Sequence, residues 1–218
     1  MADRKDQERP LRADARKNRE RILEAAATVF ARDGLDASLD VIAAEAGVGV
    51  GTVYRRFPER QDLIDELFEV KIERFVSLAE ECAAIEDPWE GLTTFIRRAA
   101  RMHGDDIALR QIVLGPGATS EMMDRPRKRL APIMSGLIER AKAQGSLRTD
   151  FDTLDVPLIE VMLARTIDLT DAASSEVWER LLTLVIDGMR SSRETVTPMP
   201  VEPITPEQYM AAIAASKR

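Results

Sequence analysis

The chain has a single cysteine, Cys82, and a single histidine, His103. One cysteine cannot close an internal disulfide, and together with a charged N-terminus that does not read as a secretory leader it points to a reduced, cytoplasmic compartment. One histidine and one cysteine are too few for a zinc site of His and Cys ligands. No apolar run approaches the ~20 residues needed to cross a bilayer, so no membrane association is expected. Strand-like alternation is not evident, no internal repeat is seen, and no nucleophile elbow occurs. The Gly115-Pro116-Gly117 segment lacks the lysine and spacing of a phosphate loop. No cofactor is expected.

What is present is helical periodicity and an uneven charge. Ala, Leu, Glu and Arg dominate, with apolar residues recurring at three and four, which predicts an all-α chain. The net charge of -7 argues against a surface that binds polyanion everywhere. Residues 9 to 21, however, carry Arg9, Arg12, Arg16, Lys17, Arg19 and Arg21 against only Asp14 and Glu20, whereas residues 61 to 218 carry 19 basic against 27 acidic side chains. A basic end on an acidic body directs polyanion to that end, with Arg16 and Lys17 as candidate contacts.

The most specific stretch is Ile42 to Phe57. The first helix is expected from about Ala13 to Asp33, with Ile22, Ala26, Val29 and Phe30 on one face and Gly34 as its stop. Ser38 is a candidate N-cap for the second helix. Gly47 permits the positive φ of a tight turn, Val48 plugs the corner, and Gly49 opens a third helix that Pro58 ends. Ala43 and Ala46 allow close helix approach, while Val53 and Phe57 close a small core with Ile42. Val50, Gly51, Thr52, Tyr54, Arg55 and Arg56 then point elsewhere. This pattern predicts a helix-turn-helix with its third helix in a major groove. Thr52 and Tyr54 offer hydroxyls to phosphates, Gly51 allows close approach, and Val50, Thr52, Arg55 and Arg56 are candidate base readers.

At these residues the chain resembles the TetR/AcrR family of transcriptional regulators. The matching stretch is about residues 18 to 65, from Arg19-Glu20-Arg21-Ile22 through Ala46-Gly47-Val48 and Gly51-Thr52-Val53-Tyr54 to Asp62-Leu63. The resemblance implies phosphate contacts from Tyr54, from Arg60 at the start of the fourth helix, and from Ser38. It also implies a variable helical ligand-binding and dimerisation domain, with the dimer built on the last two long helices. Gly145-Ser146-Leu147-Arg148-Thr149-Asp150 is similar to a turn that precedes those helices in the family. Gly49 departs from the family's frequent serine or threonine, and Arg56 from its tyrosine or histidine.

The expected organisation is a flexible basic arm at 1–12, a helix-turn-helix domain at 13–60, a ligand-binding and dimerisation domain at 61–191, and a tail at 192–218. The tail carries Pro198, Pro200 and Pro203, and a short helix is expected after Thr205-Pro206. Helices near 153 to 169 and 175 to 190 are apolar over wide faces. Val161, Arg165, Leu181 and Val185 are the candidate dimer contacts. Trp89, Phe95, Met102, His103, Met134 and Met162 are candidates for lining a ligand site. The expected function is a repressor that binds a palindromic operator as a homodimer and is released by a small, largely apolar ligand. The rival is an all-helical small-molecule-binding protein or enzyme with a purely structural N-terminal hairpin, against which the basic arm and exposed hydroxyl-arginine face speak.

Overall fold

Helix caps and buried stripes organise the chain. In a computed structural model, the described residues are 3–114, 120–170, 174 and 176–192, and they form nine α-helices. These are α1 (Asp3–Asp33), α2 (Leu39–Ala46), α3 (Val50–Arg56), α4 (Arg60–Ala83), α5 (Pro88–Asp105), α6 (Ile107–Leu114), α7 (Ser120–Ala143), α8 (Asp155–Thr170) and α9 (Val177–Met189). The only pairing of strand type among the described residues is an isolated antiparallel bridge between Leu147 and Arg190. The chain divides into two units, Met1–Lys71 and Ile72–Arg218, so the division falls inside α4 rather than at its start.

In the first unit, α1 begins at Asp3, ahead of the expected Ala13, so residues 3 to 12 continue its helix. Its core stripe is the expected one: Ile22, Ala26, Val29 and Phe30 are buried. Gly34 follows in the left-handed region at φ 83°. Leu39, Ile42, Ala43, Val53, Phe57 and Leu63 complete the small core.

In the second unit, Asp87 caps α5 by accepting from the backbone N–H groups of Trp89 (2.8 Å) and Glu90 (3.2 Å), with Pro88 at the first turn. α5 runs through Gly104 to Asp105, and α6 begins at Ile107. An interior glycine costs a helix only about 1 kcal/mol, and burial of Phe95, Ile96, Ala99, Ala100 and His103 outweighs it. α7 starts at Ser120 and runs through Pro132 to bury Met134, Leu137, Ile138 and Ala141. The turn at Gly145 (φ 82°) leads into a clasp on the end of α9: Arg148 N–H donates to Met189 O at 2.9 Å, and Ser191 N–H to Ser146 O at 3.0 Å. Arg190 lies over the Trp89 ring, 4.6 Å from its centroid. Gly115-Pro116-Gly117, the tail beyond Ser192 and the expected helix after Thr205 lie outside the described residues.

Candidate nucleic-acid interface

The turn between α2 and α3 follows from local chemistry. Ser38 Oγ accepts from Val41 N–H at 3.4 Å at the start of α2. Gly47 ends it in the left-handed conformation, φ 61° and ψ 37°, and Val48 N–H donates to Ala43 O at 3.1 Å. A Cβ on Gly47 would also come within 2.9 Å of the Arg21 guanidinium. Gly49 opens α3 with no side-chain cap, and Thr52 N–H bonds its carbonyl at 2.8 Å.

α3 is held from below by buried Val53 and by Phe57 just past its end, with Val48 half-buried at the corner. Its other face is open. Val50 is 43% and Tyr54 44% exposed, Gly51, Arg55 and Arg56 are exposed, and Thr52 is half-buried. Nothing lies within 4 Å of where a Gly51 Cβ would sit, so internal packing does not require the glycine. Ser38 and Arg60 are exposed as well, as are Arg16 and Lys17 on α1.

The arginines differ in how they are held. Arg56 reaches Glu66 Oε2 at 3.4 Å, and Glu66 also bonds Arg19, so one carboxylate on α4 ties α1 and α3. Arg60 donates to Asp36 O at 2.9 Å and lies 3.1 Å from its carboxylate. Arg16 pairs loosely with Glu20 at 3.7 Å. Arg55 has no such tether among the described residues. Glu66 and Asp36 were not singled out by sequence, because pairings over such separations leave no local signal.

The residues proposed for a ligand site are not all brought together. His103, Phe95 and Met134 are buried and Met102 is half-buried. Trp89 lies on α5 fourteen residues from His103, about 21 Å along the helix, beneath Arg190. Met162 is 37% exposed on the outer face of α8, beside an open groove of about 540 Å³ that Arg148, Phe151, Leu158 and Met189 also line. His103 instead meets Glu160, which sequence reading passed over, although it falls on the apolar stripe of α8. Their closest atoms, Nε2 and Oε2, are 3.7 Å apart. Burial, with Arg110 nearby, lowers the imidazole from 6.5 to about 4, while burial raises the Glu160 carboxyl well above its ordinary range. Burial therefore works against the charge on both groups, and the contact is not an ordinary ion pair. Among the described residues no group of three or more His, Cys, Asp or Glu side chains could hold a metal ion, and no helix is long and apolar enough to cross a membrane.

A capped helix pair with a glycine turn, a held base and an open polar face defines a helix-turn-helix DNA-binding protein with a second helical unit. Residues 22–67 match the family described as bacterial regulatory proteins, tetR family, and residues 87–191 match the C-terminal domain of SbtR-like transcriptional regulators. The TetR transcription regulatory protein of Mycobacterium vanbaalenii is 33% identical, over 83% of this chain and 99% of its own, with a TM-score of 0.58. The chain belongs to the TetR family of transcriptional regulators. An HTH-type transcriptional regulator of Staphylococcus aureus is 37% identical over 68 residues, 31% of this chain and 37% of that relative's length. FadR of Bacillus subtilis, solved in complex with stearoyl-CoA, shares the fold at a TM-score of 0.65 and 21% identity, over 78% of this chain and 98% of its own. Membership in a family of regulators sets aside the enzyme alternative.

Proposed function

We propose that this DNA-binding regulator is a cytoplasmic repressor that binds a palindromic operator as a homodimer and is released by a small molecule. The observation that carries the DNA half is the open face of α3, where Gly51, Tyr54 and Arg55 stand clear while Val53 and Phe57 hold the helix from beneath. Base reading falls first to Arg55, with Val50 and Thr52 beside it, because Arg56 is tied to Glu66. Tyr54, Ser38, Arg60 and the α1 residues Arg16 and Lys17 take phosphates, Arg60 after exchanging Asp36 for DNA. Apolar exposure on α8 and α9 supports the homodimer: Leu158 is 67%, Leu184 55% and Val161 41% exposed, Arg165 is exposed beside them, and Leu181 and Val185 are half-buried.

A small-molecule ligand for the second unit is supported by the fold it shares with a FadR solved with stearoyl-CoA. Such a ligand acts by preferring one arrangement of the DNA-binding units over another. The test is selection of random duplex DNA by the purified chain. The expected consensus is an inverted repeat with half-sites about 34–36 Å apart, one helical turn. Enrichment of a single asymmetric site, or of none, would remove the proposal.

A further inference from the structure

The second unit keeps an acid where its helix calls for an apolar side chain. The buried stripe of α8 includes Val156, Glu160, Leu163, Ala164 and Ile167. Glu160 is 8% exposed, and neither carboxyl oxygen has a hydrogen-bond partner. Its neighbour His103 is 3% exposed, packs on Phe75 with ring centroids 5.5 Å apart, and leaves Nδ1 without a partner. Buried polar groups are ordinarily paired, so three such atoms on two facing side chains mark a place awaiting a partner.

The buried cation nearby does not serve that need. Arg110 donates to the carbonyls of His103 (2.6 Å) and Gly104 (3.2 Å) and lies 3.8 Å from the Asp168 carboxylate. It closes the C-terminal end of α5, and its charge is engaged there. An anion arriving here meets a carboxyl group and an occupied arginine. A neutral hydroxyl brings one donor. A protonated amine brings several N–H donors, together with the charge that lets Glu160 ionise out of water.

We propose that Glu160 and His103 form the head-group end of a site for an organic ammonium ion with an apolar body, Glu160 accepting from the ammonium. This rests on the reading of the second unit as ligand-binding. Phe75 beside His103, with Leu163 and Ile167 on the stripe of Glu160, supplies apolar surroundings.

The test compares two probes of equal chain length, decylammonium and decanoate, below their micellar concentrations, by isothermal titration of the full chain at neutral pH. The parent is expected to bind decylammonium at least tenfold tighter than decanoate. Glu160→Gln, nearly isosteric and with no charge to desolvate, should fold with the parent's circular dichroism and lose that preference. Equal affinities, tighter decanoate, no binding of either, or a preference kept by Glu160→Gln would each overturn the site. The comparison on the parent needs no variant, so a misfolded variant does not shelter the proposal. Release of a selected operator fragment is read separately. Glu160-dependent binding without release leaves the site standing and removes the ligand-responsive reading. Release by decanoate alone removes the site and leaves that reading in place.

Discussion

Gly51 and Glu160 are both poor choices for folding alone. Alanine within an exposed helix is favoured over glycine by up to about 1 kcal/mol, and although Gly51 sits in the first turn of α3, a Cβ there would meet nothing within 4 Å. Gly51→Ala is therefore expected to raise the thermal midpoint while weakening operator binding; a variant that is stabilised and binds as before would show that no close approach occurs there. Glu160 carries the opposite test, in pH. Its folded pKa is raised above the ordinary 4.5, so the stability it contributes is present below 4.5 and lost as pH climbs toward the raised value. The gap in melting temperature between Glu160→Gln and the parent should then widen in the variant's favour from pH 4.5 to 8. A constant gap would mean that the carboxyl is not held protonated. His103 works from the acid side. With its pKa lowered from 6.5 to about 4, its contribution is intact above 6.5 and lost as pH falls toward 4, by at most on the order of 3 kcal/mol.

At the scale of elements, α4, α5 and α7 meet at Gly91. A Cβ there would stand 2.5 Å from the Cys82 carbonyl oxygen and 3.1 Å from Leu137 Cδ1. The first neighbour is backbone and cannot rotate away. Gly91→Ala should cost about 1–3 kcal/mol as an overpacked contact, measured by urea denaturation, despite alanine's better helix propensity. This close approach was not legible in the sequence, where Gly91 reads as a mild helix weakener. The elements of the DNA-binding unit were legible because their signals are local: Ser38 within three residues of the N–H it caps, Gly47 at the turn, Phe57 one turn after Val53. Where the outcome depended on distant partners, sequence reading fell short. The expected start of α1 at Ala13 falls ten residues late, because the charged residues before it show no apolar period. Glu160 was visible in principle, as an acid in register with Val156, Leu163 and Ile167, but its pairing with His103 is a tertiary fact.

At the scale of the whole molecule, the proposed homodimer needs a face on each copy, and the most exposed apolar side chains of α8 and α9 are its candidates. Leu158→Glu with Leu184→Glu alters positions 67% and 55% exposed. Each change should cost the folded monomer little, about 0.5 kcal/mol. Sedimentation at micromolar concentration is expected to show a dimer for the parent and a folded monomer for the double variant. A parent that is already monomeric would remove the face as an interface. The tethered Arg60 has its own consequence at this scale, in the accounting of ions. A free lysine or arginine that meets a phosphate releases about one condensed cation from the DNA. Arg60, proposed to take a phosphate, does not begin free: it would have to give up Asp36, and the carboxylate left behind would gather cations from solution as the phosphate sheds them. The dependence of operator affinity on salt should accordingly be shallower than the number of phosphate contacts implies. Arg60→Ala should then flatten it by less than one ion, while Asp36→Asn should steepen it. A full one-ion loss on Arg60→Ala, with no change on Asp36→Asn, would mean that the tether is already open in solution.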